Sequence, residues 1–119
     1  MTHDHHTTLQ LHTITIDCAD AARVGSFWAN ALGRPLDEGA ASEFASLPAH
    51  GASPGWYFNQ VPEAKSAKNR VHVDLRAADR DAEVARLLAL GATRLPDHDA
   101  DGTTWTVLAD VEGNEFCVV

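Results

Sequence analysis

The strongest constraint on this chain is that it says nearly the same thing twice. Residues 13–33, TITIDCADAARVGSFWANALG, and residues 72–91, HVDLRAADRDAEVARLLALG, share one grammar. Each has a short alternating strand, an aspartate, a helix-length amphipathic run and a Leu-Gly stop, and each is followed by short strands and turns. A supersecondary unit used twice cannot bury its apolar face as a single copy, so the copies must pack together. The binding site is expected where they face each other, at residues that match across the repeat.

In the first copy Ile14, Ile16 and Cys18 alternate with Thr13, Thr15 and Asp17, the period of a strand with one apolar face. Asp20 is placed to cap the following helix, whose apolar stripe is Val24, Phe27, Trp28, Ala31 and Leu32. Gly33 supplies the left-handed turn that ends it, and Pro35 prevents its resumption. In the second copy Val71, Val73 and Leu75 alternate with His72, Asp74 and Arg76. Asp79 is the cap, Asp81 and Glu83 suit the positive end of the helix dipole, and Val84, Leu87 and Leu88 form the buried stripe before Gly91.

The later strands are expected at 43–47 and 56–61 in the first half, with a weaker one near Leu36, and at 92–95, 104–109 and 114–119 in the second. Asp97 to Gly102 reads as a polar turn, and Glu112-Gly113 joins the last two strands. The order is β-α-β-β-β twice over. The resulting fold class is α+β, with two tandem βαβββ modules forming a curved mixed sheet and each helix covering one face. The boundaries are a disordered tail at 1–8 and one domain over 9–119. Within it the modules span about 9–61 and 69–119, with a polar linker at 62–68.

Composition excludes several classes. A net charge of -8 argues against nucleic acid or an anionic membrane as partner. No apolar run approaches the roughly 18 residues of a membrane span, and the start, MTHDHHTT, lacks the apolar stretch of a secretory signal. Cys18 and Cys117 have no paired spacing and read as reduced thiols of a cytoplasmic protein. The expected partner is a small molecule.

The face opposite the helices carries Thr13, Thr15 and Asp17 in one copy and His72, Asp74 and Arg76 in the other. Trp56, Phe58 and Gln60 alternate with Tyr57 and Asn59, and Trp105 sits in a run of threonines. Aromatics among polar groups on a curved sheet make a ligand cup, or equally a dimer interface or second small core. His3, His5 and His6 fall in the polar tail, and His50 and His98 in turn-rich segments, where solvation is the default. Asp97, Asp99 and Asp101 alternate, but the closing glutamate of a twelve-residue calcium loop is missing. There is no nucleophile elbow, phosphate-binding glycine loop or CxxC pair.

Three segments carry a family resemblance: Phe27-Trp28-Ala29-Asn30-Ala31-Leu32-Gly33, Lys68-Asn69-Arg70-Val71-His72-Val73-Asp74-Leu75, and the closing run from Asp110 to Val119. With the paired module order they make the chain similar to the vicinal-oxygen-chelate superfamily, which includes glyoxalase I, bleomycin-resistance proteins and extradiol dioxygenases. It is most similar to the small glyoxalase-like proteins of unassigned activity. The resemblance implies a homodimer. It also implies a divalent metal held by His or Gln, Glu, His and Glu, two from each module, which polarises neighbouring substrate oxygens.

Carried over residue by residue, the first ligand position falls on Thr13, with His12 on the opposite face. The second falls on Gln60, the third on His72 and the last on Cys117, with Glu115 one rung earlier on the same side. His72 alone keeps the family's donor, so the metal set is degenerate, and His72 also reads as a hydrogen-bonded sheet histidine beside Asp74. Two functions follow from this. One is a small-molecule-binding protein holding a planar ligand between Trp56, Phe58 and Trp105, with Thr13, Thr15, Asp74 and Cys117 around it. The other is a metal-assisted lyase, isomerase or dioxygenase-type enzyme on a vicinal-oxygen substrate, using His72 with Gln60 and Glu115.

Overall fold

A computed structural model describes residues 9–96, 98–100 and 103–119. The tail expected at 1–8, and Asp97, Asp101 and Gly102 of the expected polar turn, lie outside the described residues. In chain order the elements are β1 (Thr13–Cys18), α1 (Ala21–Leu32), β2 (Phe44–Leu47), β3 (Gly55–Gln60) and β4 (Asp74–Leu75). They continue with α2 (Arg80–Ala89), β5 (Thr93–Arg94), β6 (His98–Ala100), β7 (Thr103–Ala109) and β8 (Glu115–Val118). Among the described residues no helix is long and apolar enough to cross a membrane.

Local chemistry sets the helix ends where the sequence places them. The Asp20 carboxylate accepts the Arg23 N–H, and Gly33 closes α1 at φ 67, its N–H reaching the Ala29 and Asn30 carbonyls. Asp79 accepts the Ala82 N–H, and Gly91 follows α2 at φ 114. Val24, Phe27 and Trp28 are buried from α1, as are Val84 and Leu87 from α2. Leu88, expected in the buried stripe, is exposed.

The α+β class holds, and both modules repeat one topology, the first strand lying parallel to the last. β1 runs parallel to β3, which pairs antiparallel with β2; β4 runs parallel to β8, which pairs antiparallel with β7. The strands form two sheets, β1-β3-β2 and β4-β8-β7-β5 with β6 on β7. Among the described residues no ladder joins β1 to β4, so the expected single curved sheet is divided between the modules.

Three strands depart from expectation. None forms at Leu36; next to it the Asp37 N–H donates to the Ser46 carbonyl and the Ser46 hydroxyl to the Asp37 carboxylate, which ties the segment to β2. Part of the expected 97–102 turn is β6, because β7 begins early enough for Thr103–Trp105 to pair with it. The strand expected over 71–75 shrinks to β4, and Val71 is 81% exposed rather than inward. Upstream of β4 the Glu115 carboxylate takes the Asn69 N–H at 3.1 Å, which draws the chain off the ladder.

The modules are joined through one core and a three-point grip on α1. Trp28, 1% exposed, lies between Trp56 of the first module and Phe116 of the second, with ring centroids 4.8 Å from each. Its indole N–H donates to Asp110 Oδ2 at 2.9 Å. Upstream of α1, the Glu112 carboxylate accepts the Ala19 and Asp20 N–H groups at 2.6 and 2.9 Å. At its last turn, Arg86 of α2 donates to the Asn30 and Ala31 carbonyls at 3.0 and 2.8 Å, which lie among the final carbonyls that have no partner four residues on.

Candidate functional site

Strand register decides which side chains face a ligand. Trp56 pairs with Ile14 and Phe58 with Ile16, and side chains paired in a ladder share a face. Both aromatics therefore join the apolar side, where they are 4% and 0% exposed; Trp56 stacks with Trp28 and with Phe58. The expected cup walls belong to the core. Gln60 pairs with Cys18, and its side chain donates to the Ala19 carbonyl at 3.0 Å. Thr13 shares a hydrogen bond with the His12 ring. Neither Gln60 nor Thr13 lines a groove with His72.

The open face of the second module does collect the expected residues. Asp74 pairs with Cys117 across the parallel β4–β8 ladder, so both side chains point the same way, and His72 lies two residues before Asp74. His72 Nδ1 is 3.5 Å from Asp74 Oδ1 and 3.9 Å from Cys117 Sγ. These groups edge a groove of about 700 Å³. Its apolar side comes from Trp105, Val107, Leu95, Pro96 and Val119, and Lys68 and Glu115 complete its polar side. Glu115 is fixed by Lys68 at 3.3 Å and by the Asn69 N–H.

A second cleft of about 510 Å³ follows the unpaired edge of β1 and faces residues 69–73. Thr15 and Asp17 line it from the first module, Glu112 from the second, and His72 and Glu115 line both spaces. The repeat thus places one cleft where the copies meet, but the richer groove lies on the second copy. Lys68 was hidden from sequence reasoning as part of a polar linker, Leu95 and Val107 as ordinary strand residues, and Pro96 between a strand and a turn. The Lys68-Asn69-Arg70-Val71-His72 segment was the available signal, because it leads into the histidine strand.

Of the four positions carried over from the resemblance, His72 and Cys117 lie side by side on the second module. The two first-module positions make local hydrogen bonds, Thr13 with the His12 ring and Gln60 with the Ala19 carbonyl.

Both thiols are held protonated. Burial, then the nearby Asp74 carboxylate, pushes Cys117 up. Burial and the carboxylates of Glu112, Asp110, Asp17 and Asp20 push Cys18 up to about 11. Partial burial pushes the Glu115 carboxyl up, but the Asn69 N–H and Lys68 outweigh it and hold Glu115 below the ordinary range. A thiol whose folded value is raised stabilises the fold below its unfolded value, and that contribution is lost as pH rises towards the folded one. The unfolding midpoint is therefore expected to fall between roughly pH 8.5 and about 11, and to fall less in Cys18→Ala. Urea unfolding across that window measures it; identical slopes in both proteins would remove Cys18 as the cause.

The sequence profile of the family described as "Glyoxalase-like domain" matches residues 13–119. The chain belongs to this family. No curated protein matches the sequence. Among solved structures, the fold is similar to a glyoxalase/bleomycin resistance protein/dioxygenase family enzyme from Burkholderia phytofirmans. That likeness has a TM-score of 0.74 and 18% identity, over 92% of this chain and 97% of that one. The fosfomycin resistance protein FosX from Listeria monocytogenes gives 0.73 at 14% identity, over 94% and 93%. A variant of it is complexed with Mn(II) and a dihydroxypropylphosphonic acid. The bleomycin-binding protein of Streptomyces verticillus, complexed with copper(II)-bleomycin, gives 0.64 at 16% identity, over 95% and 97%. At these identities the likeness establishes the fold of this glyoxalase-like domain, and its chemistry rests on its own residues.

Proposed function

We propose that the chain is a small-molecule-binding glyoxalase-like protein that holds a planar, oxygen-bearing ligand in the groove of its second module. One observation carries this reading: Trp105 and other apolar residues line a single groove of about 700 Å³ together with Lys68, His72, Asp74 and Glu115. A large apolar surface with a few convergent polar groups is the form of a small-molecule site. The ring of Trp105 suits a flat ligand, and Lys68 and His72 supply donors for its oxygens. The copper(II)-bleomycin complex of a structural neighbour supports retention of a ligand in this fold.

A second reading is favoured by the His72–Asp74 contact of 3.5 Å at the groove wall. A carboxylate beside an imidazole orients it as a general base, which suits a lyase or isomerase acting on the same ligand class. The full reading places the chain in the cytoplasm as a homodimer, with no nucleic-acid partner. The net charge of -8 supports the last point, and the exposed, edge-packed Phe44–Tyr57 pair supports a covered outer face.

The test is a tryptophan-fluorescence screen of flat oxygenated compounds, with the ligand recovered after long incubation and weighed by mass spectrometry. Saturable quenching with unchanged ligand is the expected result. A mass change accompanied by a pH-rate profile governed by one group assigns turnover and the second reading. If no compound class binds saturably, both readings fail.

A further inference from the structure

We propose that the second module alone forms a metal site of the zinc class on His72, Asp74 and Cys117, with one coordination position open to the groove. The ladder places the donors: Asp74 and Cys117 are direct partners on parallel strands, and His72 lies on the same side two residues earlier. One ligand atom from each of the three lies within 4.8 Å of the others. Metal bonds of about 2.0–2.3 Å hold the donors of a tetrahedral shell roughly 3.3–3.8 Å apart. The observed 3.5 and 3.9 Å separations are close to that, so small side-chain rotations bring the donors onto one ion.

The donor types select the ion. One thiolate, one imidazole and one carboxylate suit zinc or cobalt, whereas magnesium and calcium favour all-oxygen shells. Binding replaces the thiol proton of Cys117 with the ion and releases that proton to solvent. Three protein donors leave a fourth position for water or a ligand oxygen, as in zinc sites that react rather than merely brace a fold. Glu115, the other carboxylate on this face, is engaged by Lys68 and Asn69. This set differs from the one the resemblance implies, because all three donors come from one module and Asp74 takes part. Uptake is measured without an organic ligand, so this proposal and the binding reading can fail independently.

Cobalt(II) titrated into the full chain is expected to bind with a thiolate-to-metal charge-transfer band saturating at a single equivalent. His3, His5 and His6 can also take cobalt, but they bring no sulfur and cannot produce that band. The band should persist in Cys18→Ser and vanish in Cys117→Ser and in His72→Ala. The exposed position of His72 keeps the last variant folded, which circular dichroism verifies. Asp74→Asn is expected to weaken zinc, read by competition with cobalt, by at least the roughly 10- to 100-fold that a supporting partner alone is worth. A native chain without the sulfur band overturns the proposal. So does a band that survives Cys117→Ser or His72→Ala.

Discussion

Trp28→Ala is expected to lower the unfolding free energy by about 3–5 kcal/mol, the range for truncating a buried large aromatic. For a domain whose whole stability is about 5–15 kcal/mol, that removes a large fraction of it. The size follows from where the ring sits. Trp56 stacks on it from the first module, Phe116 meets it from the second, and Phe27 packs at 5.5 Å on its own helix. Deletion opens a cavity between modules that, among the described residues, no backbone ladder connects, so neighbouring strands have little means of closing it. Trp28→Phe separates packing from hydrogen bonding. It keeps a ring and removes the donor to Asp110, at a cost of about 1–3 kcal/mol. The lower end is expected, because the Asn114 side chain also donates to Asp110 Oδ2, at 3.0 Å. Urea unfolding of the three proteins gives both numbers. A loss below about 1 kcal/mol for Trp28→Ala, the range of ordinary surface substitutions or little more, would mean that the modules do not share a core through this residue.

What the sequence revealed follows from how local each determinant is. Asp20, Gly33 and Asp79 act on backbone groups within a few residues, so both helices were legible. The duplicated strand-helix-strands grammar was legible too, and aligning the copies put His72 and Cys117 at matching ligand positions, where the structure holds them 3.9 Å apart. The fate of Trp56 and Phe58 was not legible. Alternation along β3 defines two faces without saying which is buried, and the choice depends on register with β1 and on Trp28, 28 and 30 residues away in sequence. Gln60 misled for the same reason, since its pairing with Cys18 turns it towards Ala19. The shortened β4 depends on a contact between Glu115 and Asn69 across 46 residues, which no local pattern encodes. The site was therefore readable to the extent that it is a ladder of alternating residues, and unreadable where side chains reach across modules or into the linker.

Trp105→Ala is expected to weaken a planar ligand by about 2 kcal/mol or more, roughly a 30-fold loss of affinity, as for a central aromatic anchor. Trp105 lies on β7 opposite His98, and backbone pairing holds that register, so the substitution should change the groove wall without moving the strand. Val107 and Leu95 remain to exclude water but offer no flat ring for stacking. Trp105→Phe provides the complementary measurement. It should bind within a few-fold of the native chain by calorimetry while losing most of the fluorescence response, because the other indoles, Trp28 and Trp56, are buried in the core. Tyr57→Ala, on the first module away from both spaces, should leave affinity unchanged. If Trp105→Ala binds as tightly as the native chain, the groove is not the ligand site. The cleft lined by Thr15, Asp17 and Glu112 then becomes the location to test, since it shares His72 and Glu115 and lies where the two copies meet.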